Sequence, residues 1–230
     1  VMKENIQEKI IDFLINNGAG QVGFCRLDND DFGTNDFNLK YAISYTIPLS
    51  DAVVEQINDK PTHTYFHHYR SVNTLIDNNS LKTGLILQKA GYKYVPVPAS
   101  QSVNGLKGIF SHKYAAVKAG LGYIGKSGLF ISNINGPRVR LGTILTDCDE
   151  FDFNTNILEC QCGSCTLCVK ACPAMAITGE TWNPGEPREK IIDALACSQH
   201  MKKAYQNIGR GVVCGICMRV CPKGFSKSTE

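Results

Sequence analysis

The chain has 230 residues, 43% of them hydrophobic and 20% charged, with a formal net charge of +3 and eleven cysteines. These values describe a globular protein, one large domain or a medium domain plus a small one. They exclude a disordered or low-complexity chain, and no apolar run reaches transmembrane length.

The start, "MKENIQEKIIDFL", is charged throughout and holds no signal-peptide core, so a cytoplasmic chain is expected, with Val1 an appended residue. "ENIQEKIIDFLINNGA" places Ile6, Ile10, Phe13 and Leu14 at helical spacing and ends at Gly18. Cys25, in the strand-like "QVGFCRL", reads as a small core residue. "YAISYTIPL" alternates Tyr41, Ile43, Tyr45, Ile47 and Leu49 with small or polar residues, the period of a half-buried strand. "TYFHHYRSVNTLIDNNSLKTGLILQKAGY" reads as one long helix or two, with Tyr65, Tyr69, Val72 and Ile76 on one face and Gly91 past the end. The aromatic residues there, beside His67 and His68, read as core. "YKYVPVP" is a short strand, and "GPRVRLGTILTD" closes another at Thr146.

Between these strands lies "FSHKYAAVKAGLGYIGKSGLFIS". Gly120, Gly122 and Gly125 form A-G-x-G-x-x-G, which outwardly matches a dinucleotide fingerprint. It follows a helical pattern rather than a strand, which argues against that site. The reading adopted is a helix ended by Gly120, then a tight glycine turn where backbone approaches a large ligand, with the charge of Lys126 beside it.

Nine of the eleven cysteines lie between residues 160 and 221. This shift in composition, near the acidic "DCDEFDFNTNILEC", sets the expected boundary: residues 1–155 as one domain and 156–230 as another. Cys162, Cys165, Cys168 and Cys172, with Pro173 after the last, have the C-x2-C-x2-C-x3-C-P spacing of a two-cluster ferredoxin, whose fourth cysteine serves the other cluster. Three closely spaced thiolates can hold three corners of a cubane, and the fourth must come from elsewhere. Cys197, Cys214, Cys217 and Cys221 supply the second set. The crossed assignment is Cys162, Cys165, Cys168 and Cys221 on one [4Fe–4S] cluster and Cys172, Cys197, Cys214 and Cys217 on the other. Zinc, the alternative, needs neither the three-cysteine run nor its echo at Cys221. Cys160 reads as a free thiol. A helix is expected near 187–197, with Pro187 at its start and Ile191, Ile192 and Leu195 on one side.

The stretch from Phe110 to Ser132, "GPRVRLGTILTD" and the two cysteine groups together resemble the epoxyqueuosine reductase family, over nearly the whole chain. The resemblance implies an α+β fold: a nitroreductase-like, corrinoid-binding α/β domain followed by a small two-cluster ferredoxin-like domain. It implies cobalamin fed by two [4Fe–4S] clusters, a plan shared with reductive dehalogenases, with FMN as the alternative acceptor. It places a cofactor-binding wall at Ser111, Gly120, Gly122, Tyr123, Gly125 and Lys126. The family's general acid is an aspartate seventeen residues before the aromatic that follows A-G-L-G. Counting back from Tyr123 reaches Leu106, and "NGLKGIFSHK" has no Asp or Glu. His112 and Lys113 are the candidate catalytic residues in that segment. The chain also stops at Glu230, before the family's C-terminal helical region that helps hold tRNA. The expected function is therefore single-electron transfer from the clusters to a cobalamin-type cofactor, for reduction of a small molecule or a corrinoid rather than of epoxyqueuosine in tRNA. The expected donor is a ferredoxin or flavodoxin, with no membrane partner. The alternatives are a non-catalytic electron carrier and a true tRNA epoxyqueuosine reductase that uses a different acid.

Overall fold

The computed structural model describes residues 5–27, 37–103, 105–211 and 213–224. The extreme termini, on which the readings of the chain's start and end fall, lie outside the described residues.

Helix α1, Ile6–Asn16, begins where the Asn5 side chain accepts a hydrogen bond from Gln7 N at 3.0 Å. It buries Ile6, Ile10 and Leu14. Gly18, at φ +92°, ends it, with Gly18 N bonded to Ile15 O and Ala19 N to Leu14 O. That is a Schellman closure, and glycine supplies its left-handed residue without strain.

One sheet has the order β1 (Gln21–Arg26), β2 (Tyr41–Pro48), β6 (Val139–Thr146), β3 (Tyr94–Val97). β1 runs antiparallel to β2, and β3 antiparallel to β6. The alternation in "YAISYTIPL" suggests one wet face, but β2 is buried on both, with Ala42, Ser44 and Thr46 inaccessible too. The cause is cover on both faces: Tyr45 reaches Ile76 and Ser80 on one side, and Cys25, the cross-strand partner of Ala42, reaches Ala115 on the other. β3 carries Pro96 and lies at the edge, where a missing N–H costs no ladder bond. Gly142 in β6 leaves the space that the Tyr45 ring fills, and the Tyr45 hydroxyl lies 2.7 Å from Ile76 O and 2.9 Å from Ser80 Oγ.

Helix α2 spans Asp51–Val54, and α3 is one helix of 27 residues, His63–Lys89. Tyr65, Val72 and Ile76 are buried on α3, and Gly91, at φ +95°, follows its end. Helix α4, His112–Lys118, leads to Gly120 at φ +74°. A hairpin of β4 (Gly122–Ile124) and β5 (Phe130–Ser132) follows. The acidic stretch read as a linker is pinned: Phe151 stacks on Phe24, Phe153 stacks on Tyr41, and Asn154 N bonds Phe24 O at 3.0 Å.

The cysteine-rich part carries α5 (Leu167–Ala171), α6 (Ala194–Tyr205) and α7 (Ile216–Arg219). The helix expected near 187–197 is divided. Arg188–Lys190 makes a single 3-10 turn, and α6 starts later, where the Asp193 carboxylate accepts from Ala196 N at 2.9 Å. An aspartate at the N-cap is a stronger start signal than the proline six residues earlier.

The chain divides into two compact units that are not continuous in sequence. One comprises residues 1–48, 72–121 and 140–157, and the other 49–71, 122–139 and 158–230. The last of these divisions falls close to the compositional boundary at 155, and the second unit also takes in two earlier segments. Among the described residues, no helix is long and apolar enough to cross a membrane.

Candidate metal centre

All eight cysteines of the crossed assignment lie in the second unit, half-buried. Cys162 and Cys165 stand on the loop before α5, Cys168 lies within it, and Cys172 caps its C-terminal end. Cys197 lies in α6, Cys214 just before α7, Cys217 in it, and Cys221 two residues past its end. Helices α5 and α7 pack on each other, which brings the two ends of the cysteine-rich segment together.

Neighbouring thiols act on several of these cysteines. Cys221 acts on Cys162 and on Cys168, and Cys165 acts on Cys221. Cys217 feels Cys214, Cys197 and Cys172, and then Cys168 of the first set. Burial, and next the neighbouring Cys214, pushes Cys217 up to about 12, and burial pushes Cys162 up to about 11. Without metal these groups stay protonated, because burial and like charge both disfavour a thiolate. Bound iron reverses this, since a coordinating thiol is deprotonated outright. Backbone N–H groups already favour the thiolate form: that of Lys126 acts on Cys162, that of Ile216 on Cys214, and those of Lys223 and Gly224 on Cys221. Ala176 N donates to Cys172 Sγ at 3.4 Å. This donor set of soft sulfurs ringed by amides fits iron–sulfur clusters.

The glycine stretch has a different reason from the one expected. A Cβ on Gly122 would run into the Ile131 carbonyl across the hairpin and would lie 2.8 Å from the Phe130 ring. One on Gly120 would meet the Asn154 side chain at 2.8 Å. One on Gly125 would meet Ile131 at 2.9 Å and Cys162 Sγ at 3.4 Å. The backbone makes room for the chain itself, and at Gly125 for a cluster cysteine, so the glycines are not by themselves a fit for a corrin. Lys126 Nζ donates to Gly163 O at 2.8 Å, inside the cysteine loop. Tyr123 is 3% exposed. Burial first, then Cys162, Cys160 and Cys221, pushes its phenol up to about 12. Cys160 is hydrogen-bonded to Cys162.

Ser111, His112 and Gly120 lie in the first unit. Ser111 Oγ caps α4 by accepting from Tyr114 N at 3.3 Å. His112 has both ring nitrogens engaged, Nδ1 at 2.8 Å from Thr143 Oγ1 and Nε2 at 3.0 Å from Pro98 O. A carbonyl only accepts, so Nε2 carries the proton and Nδ1 accepts from the threonine hydroxyl. Burial, helped by the Arg140 guanidinium, lowers His112 to about 4 against the pull of the Pro98 carbonyl, leaving it neutral at pH 7. It borders a cavity of about 200 Å³ lined by Pro98, Gln101, Gly108 and Phe110. Lys113 is exposed.

Sequence reasoning missed two features near the cysteines. Arg138, 3% exposed, pairs with Asp51 at 2.6 Å and Glu55 at 2.7 Å, and Glu55 also pairs with Arg219 at 2.9 Å, between Cys217 and Cys221. Tyr205 shares a hydrogen bond with Cys214. Neither has a local pattern, because the partners lie far apart in the chain.

Residues 161–224 match the family described as a 4Fe-4S double cluster binding domain. An epoxyqueuosine reductase of Staphylococcus aureus is 33% identical over 126 residues, 54% of this chain and 32% of that protein. One from Vibrio cholerae is 29% identical over 183 residues, 70% of this chain and 43% of that protein. The alignments thus span less than half the length of these relatives. Among solved structures, a reductive dehalogenase described with a mechanism for B12-dependent dehalogenation superposes with a TM-score of 0.74 at 18% identity, over 96% of this chain and 32% of that one. The epoxyqueuosine reductase of Streptococcus thermophilus superposes with a TM-score of 0.62 at 20% identity, over 96% of this chain and 66% of that one. The chain is a homologue of the epoxyqueuosine reductases, carries a 4Fe-4S double cluster binding domain, and shares its fold with these enzymes and the reductive dehalogenases.

Proposed function

We propose that the protein is an iron–sulfur oxidoreductase that passes single electrons from two [4Fe–4S] clusters to a cobalamin-type cofactor, for reduction of a small molecule or a corrinoid. The match of residues 161–224, which contain all eight cysteines, to a double cluster binding domain carries this reading. When bound, the clusters supply one-electron chemistry at a potential the protein sets. Cys162, Cys165, Cys168 and Cys221 hold one, and Cys172, Cys197, Cys214 and Cys217 the other. Lys126 fixes the Gly163 end of the first cysteine loop, and the surrounding amides favour thiolate over thiol. Likeness to a B12-dependent dehalogenase supports cobalamin over FMN as the acceptor. A ferredoxin or flavodoxin is the proposed donor.

The substrate proposal rests on the segment around Leu106. No carboxyl group stands between residues 104 and 113, and a neutral His112 with both nitrogens engaged is poorly suited to protonate an epoxide oxygen. General-acid help is worth about 10²- to 10⁴-fold, so its lack would disfavour that substrate. A second reading, reduction of epoxyqueuosine in tRNA, is favoured by the names of the sequence relatives and by a solved epoxyqueuosine reductase bound to a modified tRNA stem loop, TM-score 0.56 at 20% identity. In the third reading, a plain electron carrier, the first unit is only a scaffold. Anaerobic loading with iron, sulfide and hydroxocobalamin, followed by spectroscopy of the bound cofactor and a reductive assay with modified tRNA, separates the three. Bound corrinoid without tRNA turnover supports the proposal. Turnover supports the second reading, and clusters without corrinoid the third.

A further inference from the structure

Each cysteine set has one buried tyrosine close to it. Tyr123, in β4, has a hydroxyl sealed from solvent, with no hydrogen-bond partner among the described residues. The turn that follows its strand runs onto the first set, Gly125 with its Cβ position 3.4 Å from Cys162 Sγ and Lys126 bonded to Gly163 O at 2.8 Å. An unsatisfied buried hydroxyl is destabilising. A redox or catalytic role is one reason a folded chain keeps such a group. The second set has Tyr205, 6% exposed at the end of α6. Its hydroxyl is already shared, 3.3 Å from His200 Nε2 and 3.4 Å from Asp59 O, besides its bond with Cys214.

We propose that Tyr123 is a positioning residue for the cluster on Cys162, Cys165, Cys168 and Cys221, its O–H donating a hydrogen bond to a sulfur there and setting that cluster's potential above its neighbour's. The inference rests on the two-cluster reading. Reduction adds negative charge to the sulfurs, so a donor at a sulfur stabilises the reduced form and raises the potential. Tyr123 has no competing acceptor, whereas Tyr205 divides its hydrogen bond among three groups. Electrons that reach the Cys172 cluster therefore run downhill to the Cys162 cluster.

The test is an EPR-monitored redox titration of the anaerobically loaded protein, comparing wild type, Tyr123→Phe and Tyr205→Phe. Tyr123→Phe should lower the potential of one cluster, shifting its oxidised-to-reduced ratio at fixed potential about tenfold, or 59 mV for one electron. The other cluster should not move. Tyr205→Phe should shift the other cluster, by less. If the Tyr123→Phe protein does not load, 3-fluorotyrosine at position 123 replaces it. This stronger donor of similar size should raise the same potential. Two cluster signals with potentials unmoved by the change at residue 123 overturn the inference and leave the two-cluster reading standing. A wild-type protein without two reducible signals overturns both.

Discussion

The Lys126 ammonium donates a 2.8 Å hydrogen bond to the carbonyl of Gly163, the residue after Cys162. It joins the glycine-rich segment to the cysteine run, two motifs that are separate in sequence. Gly163 sits at φ +52°, a conformation glycine adopts without strain. Lys126→Ala should cost about 1 kcal/mol, less than the about 1.5–3 kcal/mol of a charged hydrogen bond because this one is exposed. Release of iron to a chelator should quicken for one cluster only, as followed by absorbance and EPR. Equal release rates in both proteins would show that the bond does not hold the loop.

Gly122→Val should fail for a reason internal to the hairpin. Its Cβ would collide with the Ile131 carbonyl, so β4 and β5 could not pair as they do. The expected result is a large fall in thermal midpoint with loss of cluster absorbance, because the hairpin and the cysteines share one unit. An unchanged midpoint with loss of corrinoid binding alone would restore the ligand-approach reason for this glycine.

Arg138→Gln removes a buried guanidinium from Asp51 and Glu55. Breaking a wholly buried pair costs about 3–5 kcal/mol. Both carboxylates here keep contact with water, at 58% and 42% exposure, so about 2 kcal/mol is expected. Denaturant unfolding measures it. Because Glu55 also holds Arg219 beside Cys217 and Cys221, cluster retention should fall together with stability.

His112 gives a pH signature. Its folded-state value, about 4, lies below the ordinary histidine value of about 6.5. The unfolded chain therefore binds the proton first as pH falls. The contribution of the neutral ring is complete above about 6.5 and is lost progressively toward about 4. The stability difference between wild type and His112→Gln should shrink over that window, with cluster effects common to both proteins cancelling. A pH-independent difference would mean that the ring keeps its ordinary histidine value in the fold.

The parts legible in the sequence were those fixed by short spacing. The helical face of Ile6, Ile10 and Leu14, the stops at Gly18 and Gly91, and the turn at Gly120 all follow from neighbours within a few residues. What escaped depended on distant partners. β2 alternates like a half-buried strand, yet the face of Ala42, Ser44 and Thr46 is buried too, by residues far along the chain. The glycines at 122 and 125 looked like room for a ligand, but the atoms that need the room belong to Ile131 and Cys162. His112 looked available as an acid until Thr143 and Pro98 engaged both of its nitrogens.

The central claim is two cubanes with crossed ligands. Iron and sulfide analysis of anaerobic protein, with EPR of the reduced state in Cys162→Ala, Cys221→Ala and Cys172→Ala, tests it most directly. The account predicts about eight irons and eight sulfides per chain. It also predicts that Cys162→Ala and Cys221→Ala extinguish the same one of two signals, while Cys172→Ala extinguishes the other. Stoichiometric zinc with no reducible signal, or Cys221→Ala sharing its loss with Cys172→Ala, would contradict it.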